Sequence, residues 1–160
     1  MEIQPATEHD AIAVAALWTQ AYADDPRGGR KTPYGAADFH VTAAAGDVMV
    51  VRDGDELAGV IAVLESGVHA GQVAREGEAE LSRLVVAALY RRRGIARSLV
   101  QHGIRLADER HASALALWSR PAQTDAHHLY SSVSFSRAPD RDDEDENGPR
   151  LVFVRSLLGP

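Results

Sequence analysis

The sequence contains no cysteine among its 160 residues. This absence excludes a thiol nucleophile, a zinc-thiolate site and a disulfide framework, and it fits a reducing compartment. No apolar run approaches the roughly 20 residues that a membrane-spanning helix needs, and residues 1–10 lack the basic stretch and apolar run of a secretory signal. We therefore expect a cytoplasmic protein that does not bind membranes.

Basic residues are too few for a general nucleic-acid binder. Seventeen Lys and Arg stand against 23 Asp and Glu, which gives a formal net charge of -6, whereas phosphate neutralisation needs a broad basic surface. We expect no nucleic-acid partner. The 160 residues, 45% of them hydrophobic, suit one domain over residues 1–160. The charges are uneven along the chain, with arginines concentrated from Arg83 to Arg97 and acids from Asp140 to Glu146.

The pattern of apolar residues predicts a mixed α/β order that opens with a helix and a hairpin. Thr7-Glu8-His9-Asp10 resembles a capping box and predicts a helix that ends before Pro26, followed by a connector from Asp24 to Tyr34. Two further helices are predicted, one from Ala96 to Ala107 and one from Thr124 to Val133. The predicted strands are Ile3 to Ala6, Val48 to Arg52, Leu57 to Leu64, Glu80 to Val86, Ala114 to Trp118 and Leu151 to Val154.

The segment from Tyr90 to Arg97, Tyr-Arg-Arg-Arg-Gly-Ile-Ala-Arg, lies where a predicted buried strand turns into a helix. Free backbone N–H groups and the helix dipole favour an anion at such a position. Gly94 and Ala96 allow close approach to the backbone. The segment therefore predicts a pyrophosphate site. An ordinary basic helix start is the alternative, and a different nucleotide-binding protein is less favoured because no GxGxxG or GxxxxGK[ST] run is present.

The same segment resembles the acetyl-CoA-binding core of the GNAT superfamily of N-acyltransferases. Its signature, Arg/Gln-x-x-Gly-x-Gly/Ala, is matched by Arg91, Gly94 and Ala96. A second family motif is matched further on, where Ser134 stands in place of the family's glycine. The matching residues of that motif are Gln123, Ala126, Leu129, Tyr130 and Phe135. Together the motifs cover about half of the chain.

The resemblance implies one α/β domain with a central mixed, mostly antiparallel sheet that is flanked by helices and splayed at the Glu80–Val86 strand. It implies acetyl-CoA as co-substrate, an amine acceptor and no metal, and it allows a homodimer. A bulge in the splayed strand would open its backbone to pantetheine. The implied cofactor-binding residues are Leu84, Val85, Val86, Arg91, Arg92, Arg93, Gly94, Ile95, Ala96, Arg97 and Gln123.

The resemblance also implies catalytic roles for two residues. Glu80 is the matched base, acting directly or through water, and Tyr130 is the matched acid near the CoA sulfur. The backbone N–H of Val85 or Val86 would stabilise the oxyanion. An exposed strand-end carboxylate at Glu80 and a core tyrosine with a satisfied hydroxyl at Tyr130 are the alternatives. Because there is no cysteine to carry an acyl group, direct attack in a ternary complex is favoured over ping-pong.

The motifs of the resemblance give no role to the adjacent histidines, the two tryptophans or the acidic segment. His127 and His128 are adjacent and diverge by about 100° on a helix, so they cannot share a metal. Trp18 and Trp118 are expected to be core or pocket-wall aromatics. The acidic segment Asp140–Glu146 is either a solvated, partly disordered hairpin loop or a funnel for a cationic acceptor.

The alternative to the predicted acyltransferase is a binding or regulatory module that holds acyl-CoA without turnover.

Overall fold

The computed structural model describes residues 1–23 and 32–157. Most of the predicted connector, and Pro26 with it, lies outside the described residues. Within the described part of the chain, no helix is both long enough and apolar enough to cross a membrane.

Four helices and eight strands make up the described fold. The helices are α1 (Ala11–Ala23), α2 (Ala36–Ala45), α3 (Ile95–Glu109) and α4 (Thr124–Ser132). The strands are β1 (Ile3–Pro5), β2 (Gly46–Asp53), β3 (Glu56–Glu65), β4 (Ala79–Val86), β5 (Ala114–Ser119), β6 (Ser136–Arg137), β7 (Asp143–Asp145) and β8 (Gly148–Ser156). Each predicted strand is present, with bounds that differ by one to three residues.

The described strands form one sheet in the order β1-β2-β3-β4-β5-β8-β6, with β7 paired to β8. The pairing of β4 with β5 is parallel, whereas the other pairings are antiparallel. The predicted fold class, a mixed and mostly antiparallel sheet flanked by helices, is confirmed.

The sheet buries a core on each face. Successive side chains of a strand point to opposite faces, so Val60 packs with Trp18 of α1 and Phe39 of α2, while Ile61 packs with Leu99 of α3. Helix α3 approaches the sheet closely at Gly103, where an added Cβ would lie 3.3 Å from Cγ2 of Val63. The apolar period predicted from Ala96 to Ala107 thus faces the core.

Helix α2 was not expected, and the prediction of a single helix before the hairpin is wrong. Its ten residues bury only Phe39, Thr42 and Ala45, so the apolar period is weak in a segment rich in alanine. Its start is set locally, because the backbone N–H of Gly35 donates to Oδ2 of Asp38 at 2.8 Å. The helix packs on α1 and on strands β2 and β3, and a local pattern does not reveal these contacts.

The acidic segment forms the β7–β8 hairpin and the turn before it. Each of three aspartates is bound by an arginine: Asp142 by Arg137, Asp143 by Arg150 and Asp145 by Arg120. The expectation of a solvated hairpin loop is confirmed, since Asp143–Asp145 are exposed, whereas regular pairing with β8 replaces the expected partial disorder. The acids repel one another in the sequence but are neutralised by arginines that the fold brings beside them.

Ser134 adopts the left-handed conformation, with φ of 71°. It directly follows α4, and its N–H donates to the carbonyl of Ser131 while the N–H of Phe135 donates to that of Tyr130. The turn after the helix therefore forms with serine where the family has glycine.

Candidate active site

Strands β4 and β5 pair at only two positions, Ala79 with Leu115 and Glu80 with Ala116. Beyond Glu80 the two strands separate, which confirms the predicted splay. The fork between them opens into a cleft of about 410 Å³. Its lining includes Tyr22, Tyr34, Glu80, Leu84, Trp118 and Tyr130.

A β-bulge lies at the start of the fork. The register moves from Ala62 opposite Ser82 to Val60 opposite Val85, so that Ile61 alone faces Arg83 and Leu84. Arg83 has φ of 52°, in the left-handed region that non-glycine residues rarely adopt. The predicted bulge is present, and it exposes Leu84 to the cleft.

Beyond the bulge, the backbone N–H and C=O groups of Val85 and Val86 point to opposite sides of β4. The N–H of Ala87 donates to the carbonyl of Ala58 on β3 at 2.8 Å. Because neighbouring residues of a strand direct their N–H and C=O groups to opposite sides, Val86 directs its own groups away from β3 and into the fork. Val85 faces β3 and is buried.

The backbone of the predicted pyrophosphate loop turns directly into helix α3. Gly94 is the N-cap of α3 with φ of 78°, and the first i to i-4 bond of the helix runs from the N–H of Ser98 to its carbonyl. The N–H groups of Ile95, Ala96 and Arg97 precede that bond and have no acceptor within the helix. Three donors are thus available at the positive end of the α3 dipole.

The arginines of this loop are exposed. Arg93 stacks on Tyr90 with its guanidinium carbon 5.3 Å from the ring centroid. Nε of Arg91 lies 3.5 Å from the carbonyl oxygen of Val86. Arg97 donates a 2.8 Å hydrogen bond to the hydroxyl of Ser132 at the end of α4. These contacts leave several guanidinium N–H groups for an anion.

Tyr90 attaches this loop to the β2–β3 hairpin. Its hydroxyl oxygen lies 3.0 Å from Oδ2 of Asp53 and 2.9 Å from Oε2 of Glu56. The hydrogen bond to Glu56, with burial and the hydrogen bond to Asp53, raises the pKa of Tyr90 to about 12. The phenol therefore stays protonated and acts as a donor to the hairpin.

Glu80 is 2% exposed, so the alternative of an ordinary exposed carboxylate is wrong. Its Oε1 accepts hydrogen bonds from the backbone N–H of Val73 at 2.6 Å and of Ala74 at 2.7 Å. Oε2 makes no hydrogen bond to any residue that the structure describes. Burial raises the pKa of Glu80, although the two backbone hydrogen bonds oppose that change. One oxygen is fixed and the other is left to accept a proton.

The loop that holds Glu80 is fixed by C-terminal arginines. Arg141 donates to the carbonyl of Val73 at 2.6 Å and to Oε1 of Glu78 at 2.8 Å. Arg150 donates to the carbonyl of Gly71 at 2.6 Å. The β7–β8 region therefore positions the backbone N–H groups that bind Glu80.

Tyr130 lies on α4 and lines the same cleft. Its ring packs against Phe135 and Phe153 with centroid distances of 5.9 and 5.7 Å. Tyr130 belongs to the buried core, as the alternative expected, whereas its hydroxyl makes no hydrogen bond to residues 1–23 or 32–157. Burial raises the pKa of Tyr130 to about 12, which keeps the phenol protonated at neutral pH.

Gln123 precedes α4 and also lines the cleft. Its Oε1 accepts hydrogen bonds from the backbone N–H of Arg120 at 2.8 Å and the hydroxyl of Ser119 at 3.0 Å. The Ser119 hydroxyl lies 3.1 Å from Nε2 of His127. Gln123 thereby fixes the turn from β5 into the helix that carries Tyr130.

Comparison with family models matches residues 13–135 to the acetyltransferase (GNAT) family. The chain belongs to this family. It is an acyl-CoA-dependent acetyltransferase, and members of the family transfer acyl groups from acetyl-CoA. A comparison with curated protein sequences gives no match.

Solved structures with the same fold cover nearly all of this GNAT domain. A ribosomal-protein-alanine N-acetyltransferase from Brucella melitensis has a TM-score of 0.80 at 20% identity, over 98% of this chain and 99% of that one. An N-acetyltransferase from Staphylococcus aureus Mu50 has a TM-score of 0.80 at 19% identity, over 98% of each chain. A putative acetyltransferase from Salmonella typhimurium, solved with its cofactor acetyl-CoA, has a TM-score of 0.82 at 13% identity, over 99% and 95%. These TM-scores establish a shared fold.

The GNAT cleft also contains residues for which no role was predicted from the sequence. Arg83 lies at the bulge, Tyr34 is the last residue of the predicted connector, and Arg120 and Arg150 both stack on the Trp118 ring, at 4.7 and 5.2 Å. Trp118 is a pocket-wall aromatic as predicted, whereas Trp18 is fully buried. The concentration of arginine from Arg83 onward was the one sequence signal for a cleft arginine. It was insufficient, because arginine is common on exposed surfaces.

The described residues contain no group of three side chains that could hold a metal ion. His127 contacts Ser119 and the carbonyl of Arg120, and its ring lies 5.1 Å from that of Phe153. It packs inside the β5–α4 connection.

Proposed function

We propose that this GNAT domain transfers the acetyl group of acetyl-CoA to a primary amine by direct attack in a ternary complex. The observation that carries the proposal is that one cleft of the fork contains a buried Glu80 carboxylate and a Tyr130 phenol. Neither Oε2 of Glu80 nor the Tyr130 hydroxyl has a hydrogen-bond partner among the described residues. One group can accept a proton and the other can donate one.

Acetyl-CoA supplies the activated acyl group as a thioester. The chemistry of the residues around the fork fits it: three N–H donors begin α3, and exposed arginines flank them. The N–H groups of Ile95, Ala96 and Arg97 would hold the pyrophosphate together with the side chains of Arg91, Arg92, Arg93 and Arg97. Leu84 and Val86 would line the pantetheine, and Gln123 would border it from the β5–α4 turn.

Glu80 acts as the base that makes the acceptor amine neutral, directly or through a water. An ammonium acceptor loses two protons as its nitrogen bonds to the carbonyl carbon and the carbon–sulfur bond breaks. One proton returns to the leaving sulfur, which Tyr130 protonates, and the other passes to solvent. The raised pKa of Glu80 suits it to accept a proton near neutral pH better than an ordinary carboxylate.

The backbone N–H of Val86 stabilises the oxyanion that develops on the thioester carbonyl. Its direction into the fork supports this role, whereas Val85 is committed to β3. A fixed backbone donor of this kind contributes about 100-fold or more to the rate.

Calorimetry with CoA, followed by thiol release from acetyl-CoA in the presence of an amine panel, tests the proposal. We expect CoA to bind and thiol release to depend on an amine. Binding of CoA without release by any amine would instead identify a non-catalytic acyl-CoA-binding module.

A further inference from the structure

Arg83 lies in the cleft in a fixed orientation. Its guanidinium carbon is 4.9 Å from the ring centroid of Trp18 and 4.9 Å from that of Tyr34. The two rings approach each other edge to face at 6.0 Å, and the planar cation packs against both of them. The left-handed backbone of Arg83 at the bulge directs this cation beside Leu84, and such strained conformations concentrate at ligand sites.

The charge of Arg83 has no carboxylate partner among the residues that the structure describes. The other two cleft arginines are paired, Arg120 with Asp145 at 2.9 Å and Arg150 with Asp143. Arg83 therefore brings to the cleft a positive charge that no ion pair neutralises within the described residues, although the whole chain has a formal net charge of -6.

The arrangement selects among acceptor chemistries. A guanidinium fixed on aromatic rings keeps its N–H edge for a planar anion, and a carboxylate accepts two such bonds at once. A polyamine or an aminoglycoside would place a further cation beside Arg83. A peptide N-terminus has its first carboxyl group in an amide bond and would leave the guanidinium without an anion.

We infer that the acceptor is a small primary amine that carries a carboxylate, of the α-amino acid type, and that Arg83 binds this carboxylate while the amine faces the thioester. The inference rests on the proposed function. It makes Arg83 a specificity residue that acts mainly on acceptor binding, beside the proton transfer assigned to Glu80 and Tyr130.

Matched acceptor pairs test the inference. Each of the common L-amino acids is compared with its own carboxamide, with spermidine, kanamycin and a hexapeptide amide as further probes. We expect at least one amino acid to exceed its carboxamide by about 10- to 100-fold in kcat/KM, the range for a hydrogen bond to a charged group. Equal rates for acid and carboxamide, or activity only with spermidine, kanamycin or the peptide, would overturn it while leaving N-acyltransfer intact. Failure of every amine, with CoA bound, would count against the proposed function itself.

Substitution of Arg83 gives an independent readout. In Arg83→Gln the KM of the preferred amino acid should rise about 10- to 100-fold with little change in kcat, and the KM of its carboxamide should hardly change. Arg110→Gln removes an arginine charge at the end of α3, outside the cleft, and should leave the acid-to-amide ratio unchanged. Arg83→Lys, which keeps the charge and loses the planar fork, should retain part of the preference. An acid-to-amide ratio that survives Arg83→Gln would exclude Arg83 as the carboxylate site.

Discussion

Oε1 of Glu80 accepts a 2.6 Å hydrogen bond from the backbone N–H of Val73. Because both backbone donors of the loop bind Oε1, a glutamine can keep these bonds through its own carbonyl oxygen while losing the basic Oε2. Glu80→Gln is therefore a conservative test of the base. We expect kcat to fall by about 100-fold or more.

The pH dependence of this variant follows from the raised pKa of Glu80. The wild-type rate should fall as pH drops through a pKa above the ordinary 4.5 of glutamate, and this acidic limb should be absent in Glu80→Gln. An unchanged limb would show that another group is the base.

The raised pKa of Glu80 also predicts how Glu80→Gln changes the stability of the fold: the ionised carboxylate that serves as a base at high pH should cost stability there. A raised folded-state pKa stabilises the fold fully below the unfolded pKa, and this contribution is lost as pH rises through the folded pKa. Thermal unfolding should therefore find Glu80→Gln at least as stable as the wild type at about pH 8, with a smaller advantage at about pH 4. A variant less stable at pH 8 than at pH 4, relative to wild type, would contradict the raised pKa.

Tyr130→Phe removes the phenol that burial keeps protonated, with its pKa raised to about 12. We expect kcat to fall about 100-fold and the KM for acetyl-CoA to change little. Tyr90→Phe provides the contrast, since that hydroxyl binds Asp53 and Glu56 and supports the anion-binding loop. It should raise the KM for acetyl-CoA more than it lowers kcat. Steady-state kinetics that give both variants the same pattern would refute the separate roles.

Gly94 and Gly54 form a matched pair. Both have positive φ, 78° and 60°, and at both an added Cβ meets no atom within 4 Å. Each Gly→Ala change should cost about 1 kcal/mol of unfolding free energy from backbone strain alone. Only Gly94→Ala should weaken CoA binding, by about 10-fold or more, because it disturbs the loop that presents the donors. Calorimetry that finds equal CoA affinity in both variants would remove the pyrophosphate from this loop.

Ser134→Gly should stabilise the protein by about 1 kcal/mol, because it relieves a left-handed serine. Ser131→Gly, three residues earlier in α4 and exposed, should instead destabilise it by about 0.5 kcal/mol, as glycine does in helices. Chemical denaturation measures both. Destabilisation by Ser134→Gly would mean that its side chain contributes more than its backbone costs.

The acidic hairpin should not guide cationic acceptors. Its aspartates 142, 143 and 145 are bound by arginines, whose hydrogen bonds lower the pKa of each carboxyl, and Glu144 and Glu146 remain exposed. The double variant Glu144→Gln, Glu146→Gln should leave the acceptor KM unchanged at low and at high salt. A rise in KM at low salt alone would restore the funnel hypothesis.

Local patterns were enough for much of this protein. The strands of β2 and β3 and the turn between them, the helix α3 with its glycine N-cap, and the positions of Glu80 and Tyr130 follow from short-range alternation, period and motif. Helix α2 does not, since its alanines give little period and its buried residues pack on α1 and on the sheet. The sequence also could not predict that Oε2 of Glu80 and the Tyr130 hydroxyl lack hydrogen-bond partners among the described residues, because segments distant in the sequence determine their burial and their partners.

The sequence by itself determined the family and most of the helices and strands, because each depends on contiguous residues whose spacing carries the physical requirement. The tertiary structure decided the order of the strands in the sheet. Only the tertiary structure decided how charge is distributed in the cleft. Arginines from the last third of the chain neutralise the acidic hairpin and fix the loop that holds Glu80, while Arg83 is held by Trp18 and Tyr34 without a described carboxylate. Ion pairs and stacking join residues far apart in sequence, so no local pattern records which arginine is neutralised and which is left for a ligand.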